Sequence, residues 1–178
     1  MADIDDIRET IFSPDRVYRY TLWRSWDMFN ERFLMTIGLN PSTADEERDD
    51  PTIRRCVGFA KAWGYGGLLM TNLFAYRSTD PDALYEVVDP VGAENLHYLR
   101  LVATQAGAIL VAWGCHGRYM DRDRLTMQAL GKPLLCLGRT KTGEPRHPLY
   151  TRKDTQPVLY YTPPVPHGEL ALVAGEEG

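Results

Sequence analysis

Phe33-Leu34-Met35-Thr36-Ile37-Gly38-Leu39-Asn40-Pro41-Ser42 decides the reading of this chain. An apolar run of this length, over residues 33–39, reads as a buried strand. Proline at 41 biases Asn40 away from helical geometry, so the strand ends there and a loop begins. The polar residue just past the run therefore sits at the strand's carboxyl end. In open α/β sheets that end is where ligands bind.

Three further segments, in order, have related form: Leu68-Leu69-Met70-Thr71-Asn72, Ala112-Trp113-Gly114 and Arg146-His147-Pro148-Leu149. The first ends in an amide, the second in Trp-Gly, and the third is a His-Pro turn. Between them lie helical patterns. Asp50-Pro51 is a helix start, with Ile53, Val57, Ala60 and Trp63 at helical spacing and residues 64–67 as the stop. Residues 92–105 carry Leu96, Leu99, Val102 and Ala103 on one face. A further helix is expected over 119–130, stopped by Gly131, and a last core strand over 133–137. Residues 76–85 read as a loop with a single helical turn, and 140–144 as a turn. Residues 17–26, with aromatic and β-branched positions, read as a strand forming an antiparallel hairpin with 33–39 across the polar turn 27–32.

Strands near 33, 68, 108 and 133 separated by helices indicate βαβ units. The expected fold is a three-layer α/β/α domain with a central, mostly parallel four-stranded sheet, preceded by the N-terminal hairpin strand. One domain over 1–162 is expected, with a loose tail over 163–178, where composition turns to Pro, Gly and Glu.

Bulk properties narrow the class. With 178 residues, 44% hydrophobic and 25% charged, the chain has the make-up of an ordinary globular domain. No apolar run approaches the roughly 20 residues a membrane helix takes. The acidic, polar start resembles no secretory leader, so a cytosolic location is expected. The cysteines (Cys56, Cys115 and Cys136) are odd in number and widely spaced, which points to buried or half-buried apolar residues rather than a disulfide framework or zinc site. A net charge of −4 gives no global attraction to nucleic acid. The basic groups Arg118, Arg122, Arg124, Arg139, Lys141, Arg146, Arg152 and Lys153 make the second half either a phosphate-facing patch or a solvated face.

The candidate chemistry lies in the strand-end residues. Asn40 is either a turn-forming Asn-Pro or an amide that orients a water. Asn72 either caps neighbouring backbone or offers the paired donor and acceptor that match a base edge. His147 is either a surface loop residue or an acid, base or oxyanion donor near neutral pH. His116 has a similar but weaker claim, and His97 and His167 read as incidental. No dinucleotide, Walker, serine-hydrolase or zinc-protease motif is present.

Together, the four segments resemble the uracil-DNA glycosylase superfamily over residues 33–152. Gly38-Leu39-Asn40-Pro41 matches its first motif, Leu68–Asn72 the strand that reads the flipped base, Val111-Ala112-Trp113-Gly114 a Leu-Trp-Gly strand, and Arg146-His147-Pro148-Leu149 a shortened final motif. The sequence is similar still more closely to a numbered domain-of-unknown-function branch with Asn-Pro-Ser-Thr-Ala and Pro-Arg-His-Pro-Leu segments. The resemblance implies a hydrolase of the N-glycosidic bond of a deaminated or modified base. Asn40 would position the water, Asn72 would bind the base, and His147 would stabilise the leaving base. Gly38, Leu39, Pro41, Ser42 and Trp113 would line the substrate site, and Leu149 or Tyr150 would wedge into the emptied stack. Arg146, Tyr150 and Arg152 would contact nucleic acid. No cofactor or metal is expected. The implied partner is nucleic acid, DNA ahead of RNA, or a free nucleobase or nucleoside, bound by a monomer. Two departures stand out: the stretch 43–48, where a stacking aromatic is expected, has none and runs into the acidic loop 45–50, and the last motif lacks its second Ser-Pro. They keep open a second reading, in which the same pocket binds a base, nucleoside or nucleotide without cleaving it.

Overall fold

The computed structural model describes residues 7–164. The part of the expected tail from 165 onward, with His167, lies outside them. Seven strands form one mixed sheet in the order β1-β2-β4-β3-β5-β6-β7. They are β1 (Ile7–Phe12), β2 (Arg19–Ser25), β3 (Phe33–Gly38), β4 (Gly67–Asn72), β5 (Ala108–Val111), β6 (Leu134–Cys136) and β7 (Val158–Tyr161). The central four, β4-β3-β5-β6, are parallel, and the outer strands join antiparallel on both sides.

Helix α1 (Pro51–Ala62) covers one face of the sheet, packing Ile53, Cys56, Phe59 and Ala60 on Leu34, Leu68, Met70 and Leu110. Helices α2 (Asn95–Gln105) and α3 (Arg122–Leu130) cover the other, over Phe33, Met35, Ile37, Ile109 and Val111. Phe33 to Gly38 is thus buried throughout while its side chains still alternate between two cores, which is why a doubly covered strand reads as a continuous apolar run.

Three expectations need correction. The sheet has seven strands rather than four, because β1 and β7 are edge strands. Their side chains are largely exposed and leave no apolar signature. The N-terminal hairpin is β1-β2, and β2 does not pair with β3. Instead, β2 runs antiparallel to β4, with Leu22 opposite Met70, because parallel β4 and β5 occupy both edges of β3. The connection from β2 to β3 crosses the start of β4. A Cβ on Gly66 would sit 1.9 Å from the Asn30 carbonyl oxygen, and one on Gly67 would sit 2.6 Å from Trp23. The pair read from sequence as a helix stop is also the clearance for this crossing. Finally, α3 begins at Arg122 rather than 119, because Met120 and Asp121 take left-handed φ values of 53° and 55° that interrupt the helix.

The other boundaries agree closely with the reading. Asp50 caps α1 by accepting from the Ile53 amide at 2.9 Å, with Pro51 in the first turn. Gly131, at φ 55°, ends α3. Cys56 and Cys136 are buried as expected, but Cys115 is exposed, since it follows the strand end rather than lying in it. Among the described residues no helix is long and apolar enough to cross a membrane.

Candidate functional site

The parallel strands run in the order second, first, third, fourth, so the chain reverses direction across the sheet between β3 and β5. In such folds the crevice at that switch point, outside the carboxyl ends, takes the ligand. A cavity of about 710 Å³ opens there, within the roughly 300–1,000 Å³ usual for small-molecule sites.

Its wall contains Gly38, Leu39, Asn40 and Ser42 from the end of β3, Asn72 from β4, Trp113 beyond β5, and Arg146, His147 and Tyr150 beyond β6. Three sequence candidates lie outside the lining. Pro41 is buried, and its carbonyl accepts from the Ser78 amide at 2.9 Å. Leu149 projects beside the cavity, 44% exposed. Arg152 is exposed and pairs with Asp154 at 2.9 Å. Tyr150, 81% exposed, stands at the rim.

Each principal side chain is held by its surroundings. The Asn40 amide nitrogen donates to the carbonyls of Ser78 (2.9 Å) and Pro41 (3.2 Å). Its donors are therefore used, and its oxygen makes no hydrogen bond among the described residues. Asn72 is 2% exposed, and its amide nitrogen is buried without a partner. The strand end beneath it is tied down by Asn95 of α2, which donates to the carbonyls of Asn72 (3.1 Å) and Leu73 (2.9 Å). Arg122 adds bonds of 3.3 Å to Leu73. A Cβ on Gly38 would lie 2.8 Å from the Asn72 side-chain oxygen. Glycine there lets the two strand ends close on one another.

His147 caps a short helical turn, Pro148–Tyr150, with its Nδ1 accepting from the Leu149 amide at 3.4 Å. An imidazole that accepts at Nδ1 carries its proton on Nε2. Burial pushes the His147 pKa below its ordinary value, with the charge of Asp50 opposing the shift. Near neutral pH the ring is neutral and Nε2–H is a donor. The turn itself is pinned to α1 by Arg55, which donates to the carbonyls of Pro148 and Thr151.

The acidic stretch presents little charge to the cavity. Asp45 accepts from the amides of Glu47 and Arg48, both at 2.9 Å. Glu46 pairs with Arg16 (2.9 Å) and Asp49 with buried Arg24 (2.8 Å). Among the described residues, Asp50 alone of the acids lines the cavity. The basic second half is largely consumed by structure. Arg122 is buried against Leu73, Arg118 pairs with Glu144 at 2.6 Å, and Arg139 donates to the Tyr160 carbonyl at 2.7 Å.

Sequence reading missed four residues here: Asn95, Arg55, Asp50 in the wall, and Arg19. Arg19 starts β2, is 2% exposed, and lines the cavity. Asp50 carried a capping signal that concealed its position, and the others had no local signal at all. His116 also lines the wall, with its Nδ1 3.0 Å from the Tyr85 hydroxyl.

A family model described as protein of unknown function (DUF1643) matches residues 19–149. The chain belongs to that family. The DUF1643 match runs from Arg19 to Leu149 and so takes in every cavity-lining residue except Tyr150. No curated protein and no solved structure matches the chain.

Proposed function

We propose that this protein hydrolyses the N-glycosidic bond of a deaminated or modified nucleobase held in the cavity at the β3/β5 switch point. The observation that carries this reading is the chemistry of the wall. Asn72, a wall residue, has its Nδ2 buried without a partner, and His147 presents Nε2–H. An occupant rich in acceptors satisfies such a wall, and an oxopurine or oxopyrimidine has carbonyl oxygens to offer. Unpaired buried donors otherwise cost stability.

The reaction breaks the bond between C1′ and the base nitrogen, leaving the electron pair on the base, and water adds to C1′. Asn40, its donors already used, accepts from that water through its oxygen and orients it. Asn72 holds the base edge. His147 donates to the base oxygen on which negative charge develops. Such preorganised donation is worth roughly 10²–10³ in rate. Asp50, a carboxylate in the wall, favours positive charge on the sugar and takes up the water's proton. If the base comes from a polymer it must first leave the stack, at a cost of a few kcal/mol. Leu149 or Tyr150, both exposed, would fill the gap.

Incubation with single- and double-stranded oligonucleotides carrying uracil, hypoxanthine, xanthine or hydroxymethyluracil, followed by alkali, tests the reading. Strand breaks that disappear in Asn40→Ala are expected. Breaks unchanged in Asn40→Ala, or neither breaks nor base released from the matching nucleosides and nucleotides by the folded wild-type protein, overturn it.

The second reading, binding without cleavage, draws on the stretch 43–48, which puts no aromatic ring against the cavity. Thermal shift with nucleosides detects the binding that both readings require, and the oligonucleotide assay separates them. A ligand at ~100 times its Kd adds about 2.7 kcal/mol whether or not it is cleaved.

A further inference from the structure

Arg19 is a buried cation whose charge no neighbour neutralises. Its Nη1 donates to the Ala44 carbonyl at 2.7 Å, its Nε is buried without a partner, and it forms no ion pair among the described residues. Arg24, on the same strand and equally buried, has Asp49 at 2.8 Å. A buried guanidinium is costly unless paired. Burial lowers the Arg19 pKa to about 10, so it remains charged at neutral pH.

The backbone delivers this side chain deliberately to the cavity side. Residues on β2 alternate, with Leu22 and Arg24 towards α1, and Trp23 towards the α2 face against Phe33. Strict alternation would put Tyr20 with Leu22 and turn Arg19 to the α2 face. Instead the β1-β2 register shifts between Ile11 and Phe12, whose partners are Thr21 and Arg19. Tyr20 becomes the extra residue and stacks on Tyr98 of α2 at 5.2 Å, while Arg19 turns into the cavity wall. Bulges characteristically re-aim one side chain beside a functional site.

We propose that Arg19 is an anion subsite, and that the molecule taken by the cavity is a phosphate-bearing nucleotide rather than a free base or nucleoside. A guanidinium matches two phosphate oxygens at once. The hydroxyl residues Ser42, Ser78 and Thr79 line both this cavity and an adjoining pocket that contains Arg77, so a phosphate at Arg19 has a polar, cationic exit beside it. Asp50, the one acid in the wall, draws on Arg19 electrostatically but makes no ion pair with it. The inference rests on the nucleotide-site reading above for the base half of the ligand only.

Calorimetric titration of the whole protein with nucleosides, the matching 5′-monophosphates, ribose 5-phosphate and short single-stranded oligonucleotides tests it. The monophosphate should bind roughly tenfold or more tightly than its nucleoside. Arg19→Gln should erase that margin while keeping nucleoside affinity, and Arg19→Lys should keep part of it. Equal affinity for nucleoside and nucleotide in the wild type overturns the proposal without any variant, as does an undiminished margin in Arg19→Gln. Ribose 5-phosphate binding that depends on Arg19, with no preference among bases, upholds the subsite and sinks the base reading instead. Monophosphates outbinding oligonucleotides would identify a free nucleotide as the source of the phosphate, and the reverse order a polynucleotide.

Discussion

The Asn72 amide nitrogen is buried without a partner, so an apolar replacement removes a desolvation cost of about 1–3 kcal/mol. Asn72→Leu is therefore expected to melt no lower than the wild type while losing base binding and cleavage. Thermal denaturation and the oligonucleotide assay, run side by side, check both halves; a large drop in Tm would make the amide structural. His147 carries a second residue-scale expectation. Its folded pKa lies below the ordinary 6.5, so between those two values the unfolded chain binds more protons than the folded one. The stability it contributes is complete above about pH 6.5 and is lost as pH falls through that window. Activity that needs the neutral ring should likewise stay level through neutrality and fall only on the acid side, below the range of an exposed histidine. A rate profile against pH reads this, and a fall beginning above pH 6.5 would rule out the buried neutral imidazole. Asn40, Asn72 and His147 were all legible in the sequence, because each follows an apolar run or opens a Pro turn. Arg19 was not, since its role depends on a bulge that only pairing with β1 creates.

Elements bring these residues within reach of each other. The ends of β3 and β4 are in register, Gly38 opposite Asn72, and only a residue without a side chain lets them close. In Gly38→Ala the new Cβ meets Asn72 Oδ1 at 2.8 Å and Met70 Cε at 2.9 Å. Met70 ends in a flexible methyl group that can shift, whereas Asn72 is the residue proposed to hold the base. A modest loss of stability is expected with a much larger loss of activity, read as kcat/KM beside a denaturation midpoint. Equal losses would mean that Gly38 serves packing alone. The boundaries of α1 were legible because Asp50-Pro51 and Gly64 punctuate it. The start of α3 was not, because Met120 and Asp121 take left-handed φ values that no glycine announces in the sequence.

At the scale of the whole molecule, the outer antiparallel strands have a job beyond extending the sheet. Arg8 and Arg24 pair with Asp49 and Arg16 with Glu46, and among the described residues the cavity wall contains one carboxylate, Asp50. Arg24 is 3% exposed and bonds Asp49 and the Asp45 carbonyl. Breaking such a buried pair costs about 3–5 kcal/mol. Arg24→Ala should lower the urea midpoint accordingly and, by freeing the acids, weaken nucleotide binding in the variant that still folds. A shift under about 1 kcal/mol would place the pair with ordinary surface bridges.

Hydrophobic runs, proline, glycine and capping residues act locally, so the chain by itself determined its four parallel core strands, its helices and the polar residues at the strand ends. Strand partners, edge strands and the fate of each charge depend on contacts between residues far apart in sequence. Tertiary structure alone decided that β2 lies against β4, that Glu46 and Asp49 are paired with arginines of the first 25 residues, and that Arg19 lines the cavity. Pairing and burial are set by which surfaces meet, and no local pattern records that.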